Sequence, residues 1–364
     1  MEKKTMIIII VVVSVVIVLA LVLGLVFGLK KDNDDKDTNP YNVLNSYDNT
    51  DELIQKYPVI NPTEVKDGIE KQIQNRLLTG FENWNRGFDT WKAWGNILYT
   101  NDSIYNVHGA RLSLASYQAA MDISLKQQTI LMGDFHNMII INDFAAIHYD
   151  FKSGPKGGEL KTSRVMEFVK FKDYGKELGT RVVEGWGSTK DRTVEGLKTF
   201  QEEKEKQEQA IQDHFFMKYY QLPITTNLKE KYFIINPTEY SGENANDILN
   251  TILEGFEKWN TDINSYKSWV DAAYDSNAIS SSLSEDDRTM TKYKEEMEAL
   301  FAQEKIEKLY FDNILIRDYW AAIHYRYRRF NKLTNELTSF GDRMEFFKFE
   351  RKNGALKITG NWVQ

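Results

Sequence analysis

Three side chains in this sequence are candidate proton carriers: His108, His136 and Glu167. Glu167 lies in MEFVKF (Met166 to Phe171) and shares strand parity with Val169 and Phe171. If those two face an apolar interior, so does the carboxylate. Burial would raise its pKa and make it a usable base near neutral pH. His108 and His136 have no histidine counterpart in the second half of the chain, so a catalytic base among histidines belongs to the first half. Tyr99, Asp102 and Tyr105, in YTNDSIY, and Tyr149 and Trp186 are candidate pocket residues around them. The chain has no cysteine and five histidines, without HxH, HxxxH or HExxH spacing. Zinc wants three or four convergent ligands, so no metal site is expected. No glycine-rich phosphate loop or nucleophile elbow occurs, and no cofactor is expected.

Two further histidines sit in a repeated strand. AAIHY ends at Tyr149 and again at Tyr325, an offset of 176. The repeat runs much further. YPVINPTE (Tyr57 to Glu64) returns as YFIINPTE (Tyr232 to Glu239), and LLTGFENWN (Leu77 to Asn85) returns as ILEGFEKWN (Ile252 to Asn260). FHNMIII (Phe135 to Ile141) matches FDNILIR (Phe311 to Arg317), and MEFVKF matches MEFFKF (Met344 to Phe349). One spacing, kept in order over this length, means a duplicated domain and not a solenoid. Tyr325, Glu345 and Trp362 are then the second copy's pocket candidates.

The elements that must position these residues follow from periodicity. Ile69, Ile73, Leu77, Phe81 and Trp84 make a helical stripe within Val65 to Trp84. Phe88 to Leu98 gives a second helix and Ser113 to Gln128 a third, separated by a turn and a short strand in TNDSIYNVHG. Four strands are expected next: Ile130 to Ile141, Phe144 to Phe151, Ser163 to Lys172 and Arg181 to Trp186. Helices first and antiparallel strands after them indicate α+β layers. Along the AAIHY strand His148 alternates with Tyr149. With the tyrosine inside, His148 and His324 face the other side of their sheets, together with Phe168 and Phe346. These four are expected where the two sheets meet, within one chain or between two.

Composition bounds the rest. With 27% charged and 42% hydrophobic residues the body is globular, and a net charge of −7 argues against a nucleic-acid partner. Met6 to Leu29 carries no charge. As a helix it would span roughly 36 Å, enough for a bilayer core of about 30 Å. An uncleaved single-pass anchor is expected in residues 1–31, with the body outside the cytoplasm; the competing reading is a cleaved signal peptide. A polar stalk follows (32–56), then the first domain (57–189), a charged helical linker (190–231) and the second domain (232–364). HFFMKYYQL (His214 to Leu222) is apolar enough to dock on a domain.

Glu167-Phe168-Val169-Lys170-Phe171-Lys172-Asp173, an extra Tyr174, then Gly175-Lys176 resembles the acid–apolar–apolar–basic–Phe–x–Asp–Gly–Lys signature of the SnoaL-like branch of the nuclear transport factor 2-like superfamily. Glu184-Gly185-Trp186 stands where that family often has Glu-His-Trp. The resemblance covers about Val65 to Thr189 and Tyr240 to Gln364. It implies two cone-shaped domains, each a curved antiparallel sheet around N-terminal helices with a pocket inside, pairing sheet to sheet. Enzymes of the family isomerise, dehydrate or cyclise small apolar molecules with an Asp or His base; other members only bind ligands or proteins. The resemblance puts Glu167 at the family's acid position. The expectation is a membrane-tethered ligand-binding or interaction protein, with a small apolar ligand possible. The alternative is a lyase, isomerase or cyclase in the first domain.

Overall fold

The computed structural model describes residues 50–107, 110–175, 179–187, 192–193, 216–236, 240–282 and 287–364. The expected anchor, most of the stalk and most of the linker lie outside the described residues. Among the described residues no helix is long and apolar enough to cross a membrane.

The first lobe opens with α1 (Thr50–Lys56) and β1 (Val59–Pro62). Helices α2 (Ile69–Arg86) and α3 (Phe88–Leu98) follow, broken at Gly87, whose φ of 128° suits glycine. Then come β2 (Tyr99–Val107), β3 (Ala110–Ser113) and α4 (Leu114–Gln127), capped by the Ser113 hydroxyl, which accepts from Ser116 N at 3.2 Å. Four long strands complete the lobe: β4 (Gln128–Ile141), β5 (Phe144–Pro155), β6 (Lys161–Asp173) and β7 (Thr180–Gly187). After β8 (Arg192–Thr193) and α5 (Leu228–Lys231) the second lobe repeats the order. It comprises β9 (Ile234–Asn236), α6 (Ala245–Thr261), α7 (Ile263–Ala273), β10 (Tyr274–Ser282), β11 (Arg288–Thr289), α8 (Met290–Gln303), β12 (Glu304–Arg317), β13 (Trp320–Asn331), β14 (Leu337–Lys352) and β15 (Ala355–Val363).

The first sheet has the order β1-β4-β5-β6-β7-β2-β3; the second has the equivalent order β9-β12-β13-β14-β15-β10-β11, with β8 added against β14. Both are α+β, as expected. They are mixed sheets, not purely antiparallel ones: β1 runs parallel to β4 and β2 to β7, and the same holds for β9 with β12 and β10 with β15. These pairs are joined through helices, so no hairpin forces them antiparallel. Helix α2 starts at Ile69 and not Val65, because Gly68 before it has a φ of 90°, outside the helical region; the Glu70 carboxylate accepts from Lys66 N at 2.8 Å. TNDSIYN is strand throughout.

Each sheet has two apolar faces. On the inner face of the first, Phe135, Ile147, Tyr149, Val169 and Phe171 pack on Ile73, Leu78, Phe81 and Trp94 of the helices. Gly80 makes room there, since a Cβ would lie 2.7 Å from the Trp94 ring; Gly255 does the same for Trp269. The outer faces of the two sheets pack on each other. Ile139, Phe144, Met166 and Phe168 of one form a single cluster with Leu315, Trp320, Met344 and Phe346 of the other. The linker residue Met217 is buried against Leu309, Tyr310 and Phe340 of the second lobe. Arg328 donates to the carbonyls of Met217, Lys218 and Tyr220 and fastens that segment.

Candidate functional site

Glu167 points to the inner face, as its parity dictates. The Tyr149 hydroxyl donates to its Oε1 at 3.0 Å, and the Tyr105 hydroxyl donates to it as well. Tyr105 reaches this place because Gly185 and Gly187 lie under its ring: a Cβ on Gly185 would stand 2.4 Å from the ring carbons. Tyr117 of α4 stacks on Tyr105 at 4.5 Å, and Tyr99 starts the neighbouring strand. Burial pushes the Glu167 carboxyl up to about 7, and the two phenol donors only partly offset it. No cation is paired with it among the described residues. Burial also raises the phenols of Tyr99, Tyr105, Tyr117 and Tyr149, with the nearby Glu167 charge adding to the shift.

Tyr99, Tyr117 and Glu167 are hemmed in by protein and desolvated, yet each keeps accessible surface. Tyr99 and Tyr117 pack against the inner-face cluster, and Glu167 bonds to Tyr149 of that cluster. The second lobe differs at every one of these positions. Tyr274, Tyr293 and Glu345 are buried to 5, 7 and 7% exposure. Lys308 fills the space, 3.7 Å from Glu345, and the cavity left beside it is about 10 Å³, room for one water at most. Tyr325 donates to Glu345 at 2.6 Å, and Asn361 donates at 3.2 Å from the position that Gly185 holds in the first lobe.

Other candidates fall elsewhere. His108 lies outside the described residues. His136 does not join Glu167: an irregularity between Phe135 and Asn137 turns it to the outer face. There it stacks on His148 at 4.9 Å, with its Nε2 2.9 Å from Asp150 but misaligned for a hydrogen bond. Asp102 is exposed. Trp186 and Trp362 were expected to line the pocket mouth. They belong to the contact between sheets instead, because a bulge opposite Lys170 and Phe171, and its twin at Lys348 and Phe349, flips the strand ends outward. His148 lies 5.7 Å from the Phe346 ring and 6.2 Å from Trp362, while His324 lies 6.0 Å from Phe168. His148 bonds to Asn137 at 3.1 Å; its Nε2 has no partner, and burial first, then His136 and Arg164, hold it well below the usual imidazole range. His324 bonds to Asn313 and, at 2.7 Å, to Asp342.

Sequence reasoning passed over Lys308 and the pair Arg317–Glu70. Arg317, fully buried, bonds to both Glu70 oxygens at 2.6 and 2.9 Å and to the carbonyls of Glu64 and Ile140. The signal was present: an arginine ending the apolar run FDNILIR, where the first copy has Ile141. No cluster of three or more metal-ligating side chains exists among the described residues.

The raised acid has a measurable consequence. Between pH about 4.5 and 7 the folded chain holds a proton on Glu167 that the unfolded chain has released, so ionised Glu167 costs stability in full only above pH 7. Glu167→Gln should therefore be more stable than wild type at pH 8, by up to about 3 kcal/mol, with the difference vanishing below pH 4.5. His148 acts with the opposite sign, losing stability as pH falls below about 6.5. Comparing the two proteins by denaturant titration at each pH cancels it. An equal gain at pH 4 and pH 8 would contradict the assignment.

No protein-family model matches the chain, and no curated protein matches it. Solved structures with similar folds include an NTF2-like protein of unknown function from Pseudomonas putida KT2440 (13% identity, 36% of this chain and 94% of that one, TM-score 0.28). Another is a conserved protein from Planctomyces limnophilus DSM 3776 (15% identity, 31% and 92%, TM-score 0.26). A proposed ketosteroid isomerase from Shewanella frigidimarina NCIMB 400 is similar at 16% identity, over 32% of this chain and 92% of that one (TM-score 0.25). Likeness at these levels says nothing about activity.

Proposed function

We propose that the chain is a membrane-tethered binding protein of two paired lobes, in which the first lobe holds a small, largely apolar molecule and the second is its structural partner. The tether is the apolar run Met6 to Leu29, with the body on the extracytoplasmic side. The observation that carries the reading is the contrast between equivalent positions. Tyr99, Tyr117 and Glu167 keep accessible surface, which we read as the wall of a void between helices and sheet, and Tyr274, Tyr293 and Glu345 are buried. An aromatic enclosure with one polar group that fixes orientation is the usual make-up of a small-molecule site. The test is a thermal-shift panel of neutral aromatic molecules, such as indole and phenol, on the full-length chain. At a concentration 100 times Kd a ligand adds about 2.7 kcal/mol of stability, several degrees in midpoint. At least one probe should raise the midpoint, and Met132→Trp, which fills the void, should abolish the shift. A panel without any shift contradicts the reading.

A second reading is favoured by the Glu167 carboxyl standing near pH 7. That suits proton transfer at carbon next to a carbonyl, with the Tyr105 and Tyr149 hydroxyls as donors. It calls for turnover that disappears in Glu167→Gln while ligand binding persists.

A further inference from the structure

The two lobes carry the same aromatic frame. Phe256 meets Tyr325 at 4.8 Å and 73°; Phe81 meets Tyr149 at 4.7 Å and 71°. Trp259 donates to the Ile306 carbonyl at 2.9 Å, as Trp84 does to Ile130. Asn260 brackets the backbone N–H and carbonyl of Lys308, each at 2.8 Å. Asn85 brackets those of Met132 at 2.8 and 3.0 Å. Met132 therefore stands where Lys308 stands.

In the second lobe that frame holds a cation. The Lys308 ammonium sits 4.6, 4.7 and 4.8 Å from the ring centres of Phe256, Trp259 and Tyr325, and 3.7 Å from Glu345. In the first lobe the rings and the acid remain as Phe81, Trp84, Tyr149 and Glu167, the cation is replaced by a neutral thioether, and the acid keeps accessible surface that Glu345 lacks. We propose that the first lobe binds an organic ammonium compound on an apolar stem, with its charged head between Glu167 and the aromatic faces, in the role that Lys308 fills next door. The inference rests on the pocket reading above and adds the charge of the ligand. An apolar stem is part of the proposal because Met121 and Leu125 pack on the same inner-face cluster as the rings. A carboxylate without a cation partner and π-faces in a desolvated site both favour a cation over a neutral head. The site also explains an otherwise costly feature, a buried acid with no partner of opposite charge.

The experiment is isothermal titration calorimetry on the full-length chain with hexylammonium, hexyltrimethylammonium and hexan-1-ol at pH 8. The ammonium probes should bind at least tenfold more tightly than the alcohol. Glu167→Gln should bring hexylammonium down to the level that the alcohol shows in the same variant. Met132→Lys should abolish binding of all three, and the second lobe shows that a lysine fits this frame. If the alcohol binds as tightly as the ammonium probes, the ammonium inference fails and the pocket reading stands. If no probe binds, both fail. Should Met132→Lys not fold, the Glu167→Gln comparison still decides between them.

Discussion

Replacing Arg317 with alanine is expected to destabilise the protein by about 3–5 kcal/mol, the cost of breaking a buried ion pair from one side. Arg317 is the largest fully buried side chain of the described residues, and its four bonds all reach the first lobe. Burial pushes the Glu70 carboxyl up, but Arg317 and the backbone N–H groups of Lys66 and Asn142 outweigh it and hold the group below the usual carboxylate range. Removing Arg317 leaves a buried charge with only those two donors. The equivalent positions are Ile141 for Arg317 and Ala245 for Glu70. A pair of two first lobes would set Glu70 against isoleucine, and a pair of two second lobes would set Arg317 against alanine. The pair therefore favours a first lobe against a second. The double variant Glu70→Ala with Arg317→Ile should regain much of the loss, since an apolar pair carries no stranded charge. Denaturant unfolding followed by tryptophan fluorescence measures both. A loss under 1 kcal/mol for Arg317→Ala would contradict the account.

Phe168→Ala and Phe346→Ala are each expected to cost about 3–5 kcal/mol, the range for deleting a buried phenylalanine ring. Both rings are fully buried, and each lies against the other lobe's histidine. Their effects should not add, because both sit in one cluster and the first cavity already loosens the contact that the second would disturb. Equal, small and additive losses would mean that the sheets do not depend on this contact for stability.

Much of the fold was legible because the chain states it twice. The shared offset showed where each copy's helices and strands recur, and parity along AAIHY separated His148 from Tyr149 correctly. Glu167 was legible for the same reason. What failed were positions beyond an irregularity. A strand read by alternation keeps its face, but extra residues at the Phe135–Asn137 and Val182–Glu184 steps turn His136 and Trp186 to the other side. Sequence spacing carries no mark of a bulge. The Arg317–Glu70 bond joins residues 247 positions apart, which no local pattern reveals. Lys308 was hidden differently. Its strand looks charged and amphipathic in sequence, and only the aligned frame of Phe256, Trp259 and Tyr325 shows the ammonium turned inward.

The central claim is that the two lobes are one frame used twice, open in the first and closed by Lys308 in the second. Native mass spectrometry of the full-length chain with hexylammonium tests it most directly, by counting bound molecules. One equivalent per chain, lost in Met132→Lys, is the result predicted. Two equivalents per chain, or one that survives Met132→Lys, would contradict it.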